Sequence, residues 1–288
     1  MQLSTWFLFP VLACLTPHAG ASVSKSDLST LATDLWYSDT NAATYNVDYK
    51  LDLQAKASGS KTSTSKYGKL IPFIKDSILR KPTYAAFVRL LDNYVDQTGI
   101  EEDVTREEIQ EMNTFLDEIL KTNVLQKTYE FLRRKNYVKG TYASDFRKLL
   151  QRIWFTLYSR EKGLYDTSGF EHVFVGELKK GAITGLHNWI QYYRLEKRGA
   201  LKYKGYLVSR YPNLMKVQFT INNRWKEASG MFYGTSPEFE LAMYTVCFLT
   251  RPNAKCEFSI DGGFVRILTY KVHYASASQS IASAFPAV

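Results

Sequence analysis

The chain has 288 residues, 37 of them Lys or Arg and 28 Asp or Glu, for a formal charge of +9; 45% are hydrophobic and 15% aromatic. So apolar a chain can offset its ordering entropy by burial, which excludes disorder as its main state, and the composition excludes coiled-coil and collagen-like scaffolds. Three cysteines are too few for a disulfide-dense mini-scaffold, and a bundle of membrane spans would need further long apolar stretches that the sequence lacks.

Residues 1–21 contain no Lys, Arg, Asp or Glu. Their apolar run at 6–15 is too short to cross a bilayer as a helix. Pro17 and the small residues Ala19, Gly20 and Ala21 follow it. This is the pattern of a secretory signal peptide cleaved after Ala21, and it predicts a secreted protein. Cleavage removes Cys14 and His18. It leaves Cys247 and Cys256, and His172, His187 and His273. The two cysteines flank the turn-forming Arg251-Pro252-Asn253. A disulfide and two separate buried thiols are equally compatible with that spacing.

From 22 to 160 the apolar period is helical. Leu28, Leu31, Ala32 and Leu35 form a first stripe. A polar stretch, most disordered-looking at 58–65, precedes a helix announced by Pro82. The next helix runs from Thr105, with Glu107 and Glu108 in its first turn and Ile109, Met112, Phe115, Leu116 and Ile119 as its apolar set. Further helices are predicted at 125–132 and around Phe146, Leu149, Leu150, Ile153, Trp154 and Leu157. Beyond about 161 the pattern shortens. Strands are predicted at 173–175, 201–203, 217–221, 256–260 and 264–268. Helices are predicted at 187–197 and from Ser236-Pro237, an N-cap followed by Pro at the first helical position. The fold class is α+β: a helical N-terminal lobe (22–160) and a sheet-rich C-terminal lobe (161–288).

Several chemistries lack their parts. The sequence has no P-loop, no Rossmann glycine fingerprint, no H-E-x-x-H and no G-x-S-x-G. Two cysteines cannot build a Cys-rich zinc site. His172 stands between Glu171 and Glu177 at the edge of a predicted strand, and His187 at a predicted helix N-terminus. Two histidines near one rim can divide the roles of proton acceptor and donor near neutral pH; each could equally be a satisfied structural residue. Lys179, Lys180, Lys197, Arg198, Lys202, Lys204 and Arg210 interleave with Tyr192, Tyr193, Tyr203, Tyr206 and Tyr211. Basic and aromatic residues together suit single-stranded nucleic acid. An acidic glycan, a membrane surface or an ordinary solvated face fits the charge as well.

The segments Ser168-Gly-Phe-Glu-His-Val-Phe-Val-Gly-Glu177, Gly185-Leu-His-Asn-Trp-Ile190, Gly234-Thr-Ser-Pro-Glu-Phe-Glu240 and Arg80-Lys-Pro-Thr-Tyr-Ala-Ala-Phe-Val-Arg-Leu-Leu-Asp-Asn-Tyr94 together resemble the EndoU-type, uridylate-specific endoribonucleases. The resemblance spans roughly 26–288. It implies an EndoU-like fold in a monomer. It also implies cleavage of single-stranded RNA at uridines, leaving a 2′,3′-cyclic phosphate, with no membrane partner. It assigns His187 as the base on the 2′-hydroxyl, His172 as the acid on the leaving 5′-oxygen and Lys226 as the cation that stabilises the charge on phosphorus. Glu171 and Glu177 become supporting carboxylates. A Thr-x-Tyr pair that reads uridine in the family is replaced by Ser283 and Phe285, and its base-contacting serine falls on Gly230 with Ser229 beside it. Manganese or calcium dependence, with the ion outside the reaction centre, is a further implication; Glu171 and Glu177 could either bind such a cation or orient the histidines.

Overall fold

The structure, a computed structural model, describes residues 21–59, 61, 68–94, 97–160, 163–272 and 279–288. Nearly all of the expected signal segment, most of the polar stretch at 58–65 and His273 lie outside the described residues.

In chain order the elements are α1 (Lys25–Ser38), β1 (Tyr49–Lys50), β2 (Phe73–Ile74), α2 (Asp76–Leu79), α3 (Pro82–Leu90), α4 (Arg106–Leu120), α5 (Asn123–Arg134) and α6 (Arg147–Phe155). Then come β3 (Glu177–Lys179), β4 (Ala182–Thr184), α7 (Trp189–Lys197), β5 (Leu201–Arg210), β6 (Leu214–Ile221), β7 (Arg224–Phe232), α8 (Pro237–Thr250), β8 (Lys255–Ile260), β9 (Gly263–Lys271) and β10 (Ile281–Pro286). Two wide π-type turns precede α6 (Tyr142–Phe146) and β3 (Glu171–Val175). The class is α+β. Beyond the sequence expectation, the first half also holds a small antiparallel pair, β1 with β2.

Helix starts follow local chemistry. Ser24 and Asp27 close a capping box on α1, and Thr105 and Glu108 close another on α4. Asn188 caps α7 by accepting from the backbone amides of Ile190 and Gln191. Ser236 caps α8 ahead of Pro237. α8 is apolar around most of its circumference and almost wholly buried, as a central helix must be. It packs against α3, α5, β9 and β10.

Two three-stranded antiparallel sheets, ordered β5-β6-β7 and β10-β9-β8, make up most of the second half, with the β3–β4 hairpin as a further two-stranded pair. α1 lies across β8, so the first helix of the chain covers a strand near its end. One hydrophobic cluster runs from Val23 to Ala284 through both halves. Cys247 at the end of α8 and Cys256 in β8 form a disulfide, Cα–Cα 5.6 Å; of the two arrangements the sequence allowed, the structure has the bridge.

The strand expected at 173–175 is instead the π-type turn. Glu171, His172, Val173, Phe174 and Val175 are all buried. A short run buried on every side gives no period by which strand and helix can be told apart. Its anchors are distant in sequence: Phe170 and Phe174 pack into a ring cluster with Phe87, Phe115, Phe155 and Trp154. The last helix of the first half stops at Phe155 and excludes Leu157, and Ile109 of the expected apolar set is 44% exposed.

Candidate active site

The π-type turn and the loop before α7 run side by side. The amide of Leu186 donates to His172 O (3.1 Å), and that of His187 to Val173 O (2.8 Å). Gly185 makes this approach possible. Its φ is +65°, and a Cβ there would stand 1.8 Å from His172 O. The two imidazoles are thereby brought to a ring-centroid distance of 6.4 Å. They line a cleft of about 610 Å³ together with Lys226 from β7, Lys216 from β6, Arg266 from β9, and Ser283 and Phe285 from β10.

Each histidine is held through Nδ1, which leaves Nε2 for a substrate. His172 Nδ1 lies 2.7 Å from Glu177 Oε2. A carboxylate can only accept, so Nδ1 carries the proton. Glu177 is itself pinned by the Thr167 hydroxyl, by Thr184 Oγ1 (3.2 Å) and by the Arg160 guanidinium (3.3 Å). Burial pushes the Glu177 carboxyl up, but the hydrogen bond and charge of His172, with Arg160 and Thr167, outweigh it and hold the group at about 2. Burial lowers the His172 pKa, Glu177 opposes that shift, and Arg160 adds to it.

His187 has no such counter-charge. Its Nδ1 faces Gly230 O (3.0 Å) and Ser229 Oγ (3.1 Å). A carbonyl only accepts, so Nδ1–H is the donor and Nε2 is a free base. Burial, then the positive charges of Lys226 and His172, push its pKa well below the ordinary imidazole value. Lys226 Nζ donates to Ile183 O (3.3 Å), and burial lowers its pKa to about 8, with Glu177 opposing.

Glu171 and Ser229 depart from their expected places. Glu171 does not touch either imidazole. It bridges within the turn, accepting from the Ser168 amide (3.3 Å) while its own amide donates to Ser168 Oγ (3.1 Å). Burial, then the charge of Glu177, raises it to about 9, so it is protonated at neutral pH. Ser229, expected at the base, is 1% exposed. It donates to Leu186 O (2.7 Å) and backs His187 from behind. The reason is strand alternation. Gly230, its neighbour, has no room for a side chain, since a Cβ there would stand 2.1 Å from Pro286 O. The two carboxylates are poorly suited to hold a hard cation, because Glu171 is protonated and the oxygens of Glu177 are already taken. Among the described residues no cluster of three or more His, Cys, Asp and Glu could hold a metal ion.

Arg160, Thr167, Thr184 and Gly185 escaped the sequence reading as site residues. Only Gly185 carried a local signal, a glycine two residues before a candidate histidine; the others act through contacts that no spacing rule encodes.

The model of the family described as endoribonuclease XendoU matches residues 27–286. Uridylate-specific endoribonuclease C of Xenopus laevis is 39% identical over 277 residues, covering 92% of this chain and 90% of that protein. The human uridylate-specific endoribonuclease is 37% identical over 278 residues, covering 93% and 67%. The solved structure of XendoU, described as a splicing-independent snoRNA-processing endoribonuclease, superposes with a TM-score of 0.79 at 38% identity over 90% of this chain and 96% of that one. Cleft geometry, fold and sequence agree, and the chain belongs to the XendoU family of endoribonucleases.

Proposed function

We propose that this protein is a secreted, monomeric endoribonuclease that cuts single-stranded RNA at uridines by transesterification. The observation that carries the reading is the asymmetry of the two histidines: a carboxylate behind His172 and only neutral acceptors behind His187. A charged partner stabilises imidazolium, and neutral partners in a buried site favour the free base. His187 Nε2 therefore takes the proton of the 2′-hydroxyl as the 2′-oxygen attacks phosphorus. His172 Nε2 gives a proton to the 5′-oxygen as its bond to phosphorus breaks. The products are a 2′,3′-cyclic phosphate and a 5′-hydroxyl. Lys226 stabilises the charge on the non-bridging oxygens, in a buried site where such stabilisation is strong. The phosphate brings its own negative charge, which raises both imidazole pKa values on binding.

DNA lacks the attacking group and is bound but not cut. Phe285 supplies a ring and Ser283 a hydroxyl to the base. Any manganese or calcium effect acts on RNA binding and not on the bond-breaking step. The Cys247–Cys256 disulfide and the leader-like 1–21 support an oxidising, extracellular destination. The test is cleavage of an RNA containing one uridine, with manganese, calcium or chelator, beside a copy whose uridine lacks the 2′-hydroxyl. Cyclic-phosphate product from the first RNA alone, absent in His172→Ala and His187→Ala, is the expected result. Binding without cleavage under every condition would instead make the chain an RNA-binding member of the fold.

A further inference from the structure

The open face of the β8–β9–β10 sheet adjoins the cleft, and the side chains of β9 alternate along it. On β9, Val265, Ile267 and Thr269 are buried, while Phe264, Arg266, Leu268 and Tyr270 face outward. On β10, Ser283 stands directly across from Tyr270 and Phe285 across from Leu268. Tyr270 and Phe285 are thus diagonal neighbours on one face, within reach of each other.

Their rings are close to parallel, 6.3 Å apart at 25°. One face of the Phe285 ring is already occupied: it stacks on His187 at 4.7 Å and 20°. A base that stacks on Phe285 must enter on the Tyr270 side. The two rings are already near parallel, so a base stacked on Phe285 can present its other face to Tyr270 once that ring shifts aside. Tyr270 is 43% exposed and free on its solvent side to make that shift. Phe264, the remaining outward ring on β9, is covered by Lys25, Arg210 and Arg266, each 5.4–5.7 Å from its centroid.

We propose that Tyr270 is the second wall of a base slot whose first wall is Phe285 and whose floor is the Ser283 hydroxyl. The inference rests on the RNA-cleaving reading and names the residue that completes its base site. A flat ring clamped on both faces gains stacking twice, and the hydroxyl at the floor meets the base edge. Phe285 has no phenol oxygen, and Tyr270 places one on the same face.

The test uses equilibrium binding, so it does not depend on cleavage. Two probes are titrated calorimetrically into the full chain: a short RNA with a single 2′-deoxyuridine, and the same RNA with an abasic residue at that position. Tyr270→Ala is expected to bind the first about tenfold more weakly than the unaltered protein, and the abasic RNA within twofold of it. Tyr270→Phe, which keeps the ring, restores most of the tenfold loss. Equal losses on both RNAs would overturn the slot, because the residue would then act on the backbone or the fold. So would no loss on either. With cleavable RNA the Tyr270→Ala effect falls on KM. Failure of the unaltered protein to cut at all would sink the nuclease reading while leaving the binding comparison intact.

Discussion

One carboxylate distinguishes the surroundings of two otherwise similar imidazoles. Glu177 holds His172 at Nδ1 (2.7 Å), whereas His187 meets Gly230 O and Ser229 Oγ. Both pKa values lie below the ordinary one, His187 farther below. The proposed mechanism requires His187 neutral and His172 protonated, so the rate is expected to rise as pH climbs through the first pKa and to fall as it climbs through the second. Glu177→Gln removes the charge that favours imidazolium and leaves Arg160 unopposed; both effects lower the His172 pKa. The alkaline limb of the pH profile of kcat/KM is therefore expected to move to lower pH, by about one pH unit or more. A limb that stays in place would show that His172 does not supply the proton. Ser229→Ala removes one of the two groups behind His187 but keeps the carbonyl. Losing one modest hydrogen bond of about 1 kcal/mol corresponds to a fall in kcat of about fivefold, with KM little changed, checked by initial rates on a single-uridine RNA.

At the scale of elements, the site depends on backbones that meet. The docking of β10 against β7 closes one wall, and the contact tolerates no side chain at 230. Gly230→Ser, which would bring back the family's serine, is expected to push the segment 286–288 off β7 and disturb Phe285 with it. The expected outcome is a stability loss of about 1–3 kcal/mol in thermal unfolding and lower kcat/KM. A gain in uridine preference at unchanged stability would show that the tail adapts instead. The start of α4 at Thr105, the cap of α8 and the alternating runs of β8 and β9 were legible, because each is written in nearby residues: Glu107 and Glu108 in a first turn, Ser236 with Pro237, Cys256 to Ile260. His172 and His187 stood out from their own surroundings, whereas Lys226 was legible through the family resemblance alone; the structure gathers all three around one cleft. The turn at Glu171–Val175 was not legible, because its shape is set by Phe87, Phe115 and Phe155. Nor was the inward aim of Ser229, which its register opposite Val217 of β6 decides. Local chemistry ends where distant chain segments choose between neighbouring side chains.

The whole molecule joins its ends. α1 seals β8 through backbone amides as well as apolar contacts: the Ser259 amide donates to Ser29 Oγ (2.9 Å) and the Asp261 amide to Thr33 Oγ1 (3.0 Å). α8 is shared, with α3 and α5 packed on it from the first half. Trp154 of α6 donates to Thr245 of α8 (2.9 Å), both fully buried. Residues 161–288 expressed alone would expose the apolar flank of α8 and strip β8 of its cover, and exposed strand edges and apolar faces aggregate. The fragment is therefore expected to be insoluble, whereas the full chain with the Cys247–Cys256 bridge folds. Sedimentation of the two after identical expression reads the difference, and a soluble, RNA-cleaving 161–288 fragment would show that the helical half is dispensable. The bridge acts on the same assembly. It ties the end of α8 to β8 across a sequence separation of 9, a short loop whose closure is worth about 2–3 kcal/mol. Replacing both cysteines with serine is expected to lower denaturant stability by that amount while preserving kcat, since neither cysteine lines the cleft. An equal fall in kcat would mean that the α8–β8 junction positions β9 and β10 for the reaction, and not merely for folding.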